Sequence, residues 1–234
     1  MITLRMGSHD PHVIFLQRML NNALVHDRSI AVLDEDGAFG RLTDAALRRF
    51  QSTYSGPAGR LVPDGVAGPL SWRALGLVTE IVHPLPVIGQ NTGMTCWVVS
   101  GGLASGRMTS AIPGQAQFDP ITPDGNGGGL RPDMANLELY AASLGMRLVR
   151  QPPAEIEGLE PYLRRGPIIM CGNWVTGGAH AVVISGYYSG PVAYTRMIRV
   201  NNSLPVGRGT LEVTDYPGMY LSGNFINAFA LIVR

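Results

Sequence analysis

Cys96 stands in the run Gln90-Asn91-Thr92-Gly93-Met94-Thr95-Cys96-Trp97, where a glycine-containing loop enters a stretch that reads as a helix. A thiol at a helix start meets unpaired N–H groups and the positive end of the dipole, which favour the thiolate and suit a nucleophile. A lone cysteine is more often a small buried apolar residue; here its company argues for chemistry. His180, in Gly177-Gly178-Ala179-His180-Ala181-Val182-Val183, opens an apolar run with the pattern of a strand, so its imidazole can reach a cleft while its neighbours pack. Asn201 and Asn202 close another such run. A thiol, a base to take its proton and a polar group to orient that base are the three parts of a cysteine nucleophile. Neighbours on a strand point to opposite faces, so one of the two asparagines can serve the histidine, not both.

Other side chains carry less. Cys171 lies in the apolar run PIIMCGNW and reads as a core residue. His9, His12, His26 and His83 have no spacing with Cys, Asp or Glu that would hold zinc, and read as surface or loop residues. Asp119, Asp124 and Asn126 resemble a calcium loop only superficially, because Pro120 and Pro123 interrupt the ligand spacing. Neither a metal nor a cofactor is expected. Trp97 is expected to stand behind the nucleophile, and Trp174 to line the cleft or the core.

These side chains must be positioned by a chain of 234 residues that is 45% apolar and 15% charged, a composition of folded rather than disordered protein. Its 18 basic residues are all arginine, and against 17 acidic ones they leave a net charge of +1, too little for a phosphate-backbone partner such as nucleic acid. No apolar run approaches a membrane span, and the N-terminus has no charged leader before an apolar core. The expectation is synthesis in the cytoplasm without a signal peptide.

Residues 11 to 24 place Val13, Leu16, Leu20 and Leu24 at helical spacing behind Pro11; Thr43 to Gln51 repeats the pattern with Thr43 as its expected cap, and Leu70 to Leu75 is a shorter helix. Two related turns, Asp36-Gly37-Ala38-Phe39-Gly40 and Asp64-Gly65-Val66-Ala67-Gly68, each open a helix. Residues 77–89, with Pro84 and Pro86, read as an extended linker. Beyond it come a helix from Cys96 to about Ala104, an aperiodic stretch from Ser105 to Arg131, helical spacing at Pro132 to Leu144 and Ile156 to Arg165, and then five short apolar runs bounded by Gly, Pro and Asn. Helices followed by strands predict an α+β fold with a largely antiparallel sheet.

Two resemblances follow. Leu16-Gln17 with Leu20, DGAFG with Thr43, Ala46, Phe50 and Gln51, and DGVAG with Trp72 and Leu75 resemble the three-helix peptidoglycan-binding domain appended to bacterial wall hydrolases, over about residues 4 to 76. The order Cys96, His180, Asn202 resembles the papain-like cysteine peptidases. The Cys-Trp pair and the short interval from Cys96 to His180 are similar to the compact bacterial branch, which includes bacteriocin-leader peptidases and cysteine-protease effectors of plant pathogens. That resemblance covers about residues 86 to 234. It implies that Gln90 gives an amide donor to the oxyanion hole beside the Cys96 N–H. It also implies that Asn202 orients His180 in place of the family's aspartate, since Asn201-Asn202-Ser203 stands where the family has Asn-Asp-Pro.

The domains implied are 1–76, peptidoglycan-binding, and 90–234, a papain-like domain with an N-terminal catalytic helix and an antiparallel sheet, joined by the 77–89 linker. The implied function is a thiol hydrolase cutting amide or peptide bonds in peptidoglycan stem peptides. With no signal peptide, a type VI-like secreted antibacterial effector or toxin guarded by an immunity protein is the expected setting. One rival is an effector protease cleaving a target-cell protein, its N-terminal domain serving delivery or wall docking. The other is a non-enzymatic wall-binding protein, against which the joint presence of Gln90, Cys96, His180 and an asparagine speaks.

Overall fold

The structure, a computed structural model, describes residues 1–107, 129–175, 177–215 and 225–234. Most of the aperiodic Ser105–Arg131 stretch, with Asp119, Asp124 and Asn126, lies outside the described residues. The chain separates into two compact units, one of Met1–Glu80 with Tyr188–Met197, the other of Ile81–Tyr187 with Ile198–Arg234.

In the first unit, helices α1 (Pro11–Ala23), α2 (Arg41–Thr53) and α3 (Pro69–Ala74) bury their apolar faces together. Asp10 caps α1 by accepting the His12 N–H, and Pro11 fits the first turn, where no N–H is needed. Helix α2 starts from Gly40 rather than from Thr43, which lies buried in the first turn because its hydroxyl is engaged elsewhere.

That engagement explains the repeated turns. Gln17 Nε2 donates to Asp36 Oδ1 (2.8 Å), the Ala38 carbonyl (3.2 Å) and Thr43 Oγ1 (3.3 Å), while Gln17 Oε1 accepts the Gly37 N–H. Gln51 makes the same set to Asp64 Oδ1, the Val66 carbonyl and Ser71 Oγ, and accepts the Gly65 N–H. In each copy a buried glutamine amide locks the turn onto the preceding helix. Gly37 and Gly65 take φ of 76° and 69°, a conformation that disfavours any side chain. The Asp-Gly motifs thus specify the fold directly.

Residues Tyr188–Met197 complete this unit, so it is not continuous in sequence. The Tyr188 hydroxyl bonds His12 Nε2, and its ring packs 5.7 Å from Phe15, which stacks in turn on Trp72. His12, expected at the surface, is therefore a buried core histidine held between Asp10 and Tyr188.

The second unit is built on an antiparallel sheet in the order β2-β7-β3-β4-β5-β6, with β1 (Thr79–Val82) off this path. The strands are β2 (Arg147–Val149), β3 (Ile168–Trp174), β4 (Ala179–Ser189), β5 (Met197–Asn202), β6 (Thr210–Thr214) and β7 (Phe225–Val233). Alternate residues of β3 and β7 feed two cores. Ile169, Cys171, Ala230 and Ile232 join α4 (Cys96–Ser105) and α5 (Met134–Ser143). Ile168, Met170, Leu231 and Val233 join Ile156, Leu159 and Leu163. Burial on both faces is why these strands read as unbroken apolar runs rather than alternating ones. Strands β1 and β2 were not expected, being too short to show a period; the former falls within the stretch read as a linker. The expected Ile156–Arg165 helix divides into a 3-10 turn, Ile156–Leu159, and a single α-turn, α6 (Glu160–Leu163).

Replacing either lock glutamine, Gln17→Ala or Gln51→Ala, should cost about 1–3 kcal/mol, because each removes the buried amide that ties an Asp-Gly turn to its helix. Arg60→Ala, on the exposed surface, should change stability little. Chemical denaturation of the three variants checks this.

Candidate active site

Helix α4 begins at Cys96, with Thr95 as its N-cap residue. The helix is buried nearly all round, and the small residues Ser100, Gly101, Gly102 and Ala104 let its neighbours approach closely. One turn beyond Cys96, the Ser100 hydroxyl donates to the carbonyl of Ala181, the neighbour of His180 (3.0 Å). Tyr140 of α5 pins the helix from behind, its hydroxyl bonding the Trp97 carbonyl and its ring meeting Trp97 edge-on at 5.6 Å. These anchors fix where the thiol stands relative to the histidine strand.

Cys96 and His180 line one cavity of about 230 Å³, with Gly93, Met94, Trp97 and Cys171 among its other walls. Both side chains are largely buried, at 8% and 6% exposure. His180 Nε2 lies 2.9 Å from Asn202 Oδ1, and its ring meets Trp174 edge-on at 4.6 Å. The same Oδ1 accepts the backbone N–H of Leu204 (3.0 Å). A backbone N–H can only donate, so the atom facing both groups is the amide oxygen, and Nε2 must carry the ring hydrogen. Nδ1 is thereby left as the proton-accepting nitrogen, the tautomer a base needs.

Burial pushes the Cys96 thiol above its ordinary range, opposed by the backbone N–H groups of Ala181, Trp97 and Cys96 itself. The helix start acts in the expected direction, but desolvation outweighs it. Burial likewise lowers His180, partly offset by its bond to Asn202, which as a neutral amide adds no negative charge. Both shifts favour a resting pair of neutral thiol and neutral imidazole.

The other sequence candidates fall as follows. Asn201 faces away from His180: its Oδ1 accepts from Ser185 Oγ and Arg199, and its amide donates to the Pro86 carbonyl (3.0 Å). Gln90, expected to aim an amide at the cleft, is fully buried and is not among the described residues lining the cavity. Its Oε1 accepts from Ser203 Oγ and its Nε2 donates to the Thr92 carbonyl, both at 2.7 Å. Cys171 is a core residue, as its run implied, yet also lines the cavity; burial first, then the charge of Cys96, push its pKa up to about 12, so it stays a thiol. Trp174 meets the histidine ring and packs against the core. His83 Nε2 donates to the Leu163 carbonyl (2.8 Å). Among the described residues no group of three His, Cys, Asp or Glu side chains could hold a metal. Ser100, Ser203 and the Leu204 N–H escaped the sequence reading; only their closeness in sequence to Cys96 and Asn202 could have pointed to them.

Comparison with known proteins bears mainly on the first unit. Residues 9–75 match the family model "Putative peptidoglycan binding domain". No curated protein matches the chain. Solved structures similar to it include the crystal structure of a double glycine motif protease from an AMS/PCAT transporter in complex with the leader peptide. That likeness has 18% identity and a TM-score of 0.39, over 68% of this chain and 96% of that one. Another is the crystal structure of the Burkholderia AP3 phage endolysin, at 23% identity and a TM-score of 0.26, over 62% of each chain. Both likenesses are too distant to carry an argument, and the site is interpreted on its own geometry. No helix among the described residues is long and apolar enough to cross a membrane.

Asn202→Ala should lower kcat at least about tenfold with little change in KM, because it releases the tautomer and orientation of the base rather than a substrate contact. Asn201→Ala should instead reduce stability, since it leaves Ser185 and Arg199 short of an acceptor. The acid limb of kcat/KM should fall below the ordinary histidine value of about 6.5, because the base works only when unprotonated and burial lowers its pKa. Asn202→Asp should move that limb to higher pH by favouring the imidazolium. Steady-state kinetics against pH for the four proteins check these outcomes.

Proposed function

We propose that the protein is a papain-like cysteine hydrolase that docks on peptidoglycan and cleaves an amide or peptide bond in its stem peptides. The observation that carries the reading is the cavity shared by Cys96 and His180, with the imidazole tied by Asn202 into the base-ready tautomer. The match of residues 9–75 to a peptidoglycan-binding family supports the choice of substrate. Tethering to the wall would raise the local concentration of scissile bonds without a contact at the bond itself.

In this mechanism the Cys96 sulfur attacks the carbonyl carbon as its proton passes to His180 Nδ1. The charge that develops on the carbonyl oxygen is met by the Cys96 backbone N–H at the start of α4. The imidazolium then gives its proton to the leaving nitrogen as the C–N bond breaks, leaving a thioester on Cys96. Water, deprotonated by His180, attacks the thioester, releases the carboxylate product and restores the thiol. Because the pair starts neutral, proton transfer accompanies attack instead of preceding it.

As an antibacterial effector the protein would be toxic when directed to the periplasm of a recipient cell and harmless in the cytoplasm. Incubation with purified sacculi should release new muropeptides, and Cys96→Ala should abolish both release and periplasmic toxicity while binding sacculi as before. Cys171→Ala should retain turnover. Sacculi left intact by an active protein that cuts lysate proteins would replace this reading with the effector-protease one, and retained hydrolysis by Cys96→Ala would remove the nucleophile.

A further inference from the structure

We propose that Ser203, acting through Gln90, is a positioning residue that sets the alignment of the Cys96 thiol with the His180 imidazole; this rests on the reading of those two residues as nucleophile and base. Ser203 follows Asn202 directly, and its hydroxyl meets Gln90 Oε1 at 2.7 Å in a place where Gln90 is 0% and Ser203 2% exposed. The direction of that bond is fixed from the far side. Gln90 Nε2 faces the Thr92 carbonyl, which can only accept, so the amide oxygen faces Ser203 and the hydroxyl donates. The Thr92 carbonyl also receives the Thr95 N–H (3.4 Å) and the Thr95 hydroxyl (3.3 Å), and Thr95 is the cap residue immediately before Cys96. The path from Ser203 through Gln90, Thr92 and Thr95 therefore joins the strand end that holds the imidazole to the loop that carries the thiol.

The surrounding backbone is built to keep this path and is independent of the hydroxyl. The Gln90 N–H donates to the Ser203 carbonyl, and the Gly207 N–H to the Gln90 carbonyl, both at 2.9 Å. Gly89 lies so close to the 207–208 backbone that a Cβ would come within 2.2 Å of the Arg208 nitrogen. Removing the Ser203 hydroxyl leaves these backbone contacts in place and frees only the amide. The fold should survive while the loop before Cys96 loses its fixed position, and small misplacements of a reacting group can lower rates by about tenfold to a hundredfold.

The test is alkylation of Cys96 by iodoacetamide in the full-length protein, followed by peptide mass mapping between about pH 5 and 10 and normalised to the fraction of Cys96 that finally reacts. In the wild-type chain His180 assists, giving a plateau between the histidine and thiol pKa values. Ser203→Ala should lower the plateau about tenfold, leaving a rate that climbs only as the thiol ionises. Gln90→Ala should do the same, and the double variant should be no slower than either single one, because both act on one path. Gln90→Glu keeps an acceptor for Ser203 but loses the donor to Thr92, so it should also lose the plateau and serves if Ser203→Ala does not fold. A wild-type plateau retained in Ser203→Ala, or in Gln90→Glu if the former does not fold, overturns the proposal alone, as does a multiplied loss in the double variant. Absence of the plateau from the wild-type chain overturns the parent reading and this one with it.

Discussion

The site depends on one shared acceptor. Asn202 Oδ1 takes the Leu204 N–H, and this alone fixes which end of the amide faces His180. Were the amide reversed, its NH₂ would confront a backbone N–H, leaving two donors face to face in a buried place, which is costly. The local chain path after β5 therefore determines the tautomer of the base. An amide in this role orients without charging, which fits the downward shift of His180 and the neutral resting pair.

Placing that histidine against a thiol requires two elements to approach closely, and the sequence provides for it with small side chains. Helix α4 is buried nearly all round and carries the small residues Ser100, Gly101, Gly102 and Ala104, and Ser100 bonds the carbonyl of Ala181 beside His180. Behind the helix, Tyr140 holds the Trp97 carbonyl. The sheet is packed on both faces, so its strands are held rigidly enough for these bonds to define distances rather than follow them.

Much of this arrangement was legible in the sequence where a residue's type is tied to backbone geometry. The Asp-Gly turns announced the second and third helices because a positive φ at Gly37 and Gly65 leaves few alternatives. Cys96 at a helix start and His180 near a strand start were readable from the change of hydrophobic period around them. Strand alternation allowed only one of Asn201 and Asn202 to face the ring, the family resemblance pointed to Asn202, and the structure puts Asn202 beside the ring. What was not legible depended on contacts distant in sequence. Tyr188 pairing with His12 across the chain, Gln90 turned inward by Ser203, and the dominance of burial over the helix start at Cys96 have no local signature. Strands as short as β2 cannot show a period at all.

The central claim is that His180 rests neutral, with hydrogen on Nε2 and with Nδ1 as the acceptor of the Cys96 proton. Nitrogen-15 NMR of the histidine ring in the full-length protein at neutral pH reports both directly. The account predicts a protonated, pyrrole-type Nε2 and an unprotonated, pyridine-type Nδ1, with a change to the imidazolium only below the ordinary histidine pKa. A ring protonated on both nitrogens at neutral pH, or one with its hydrogen on Nδ1 alone, would contradict it.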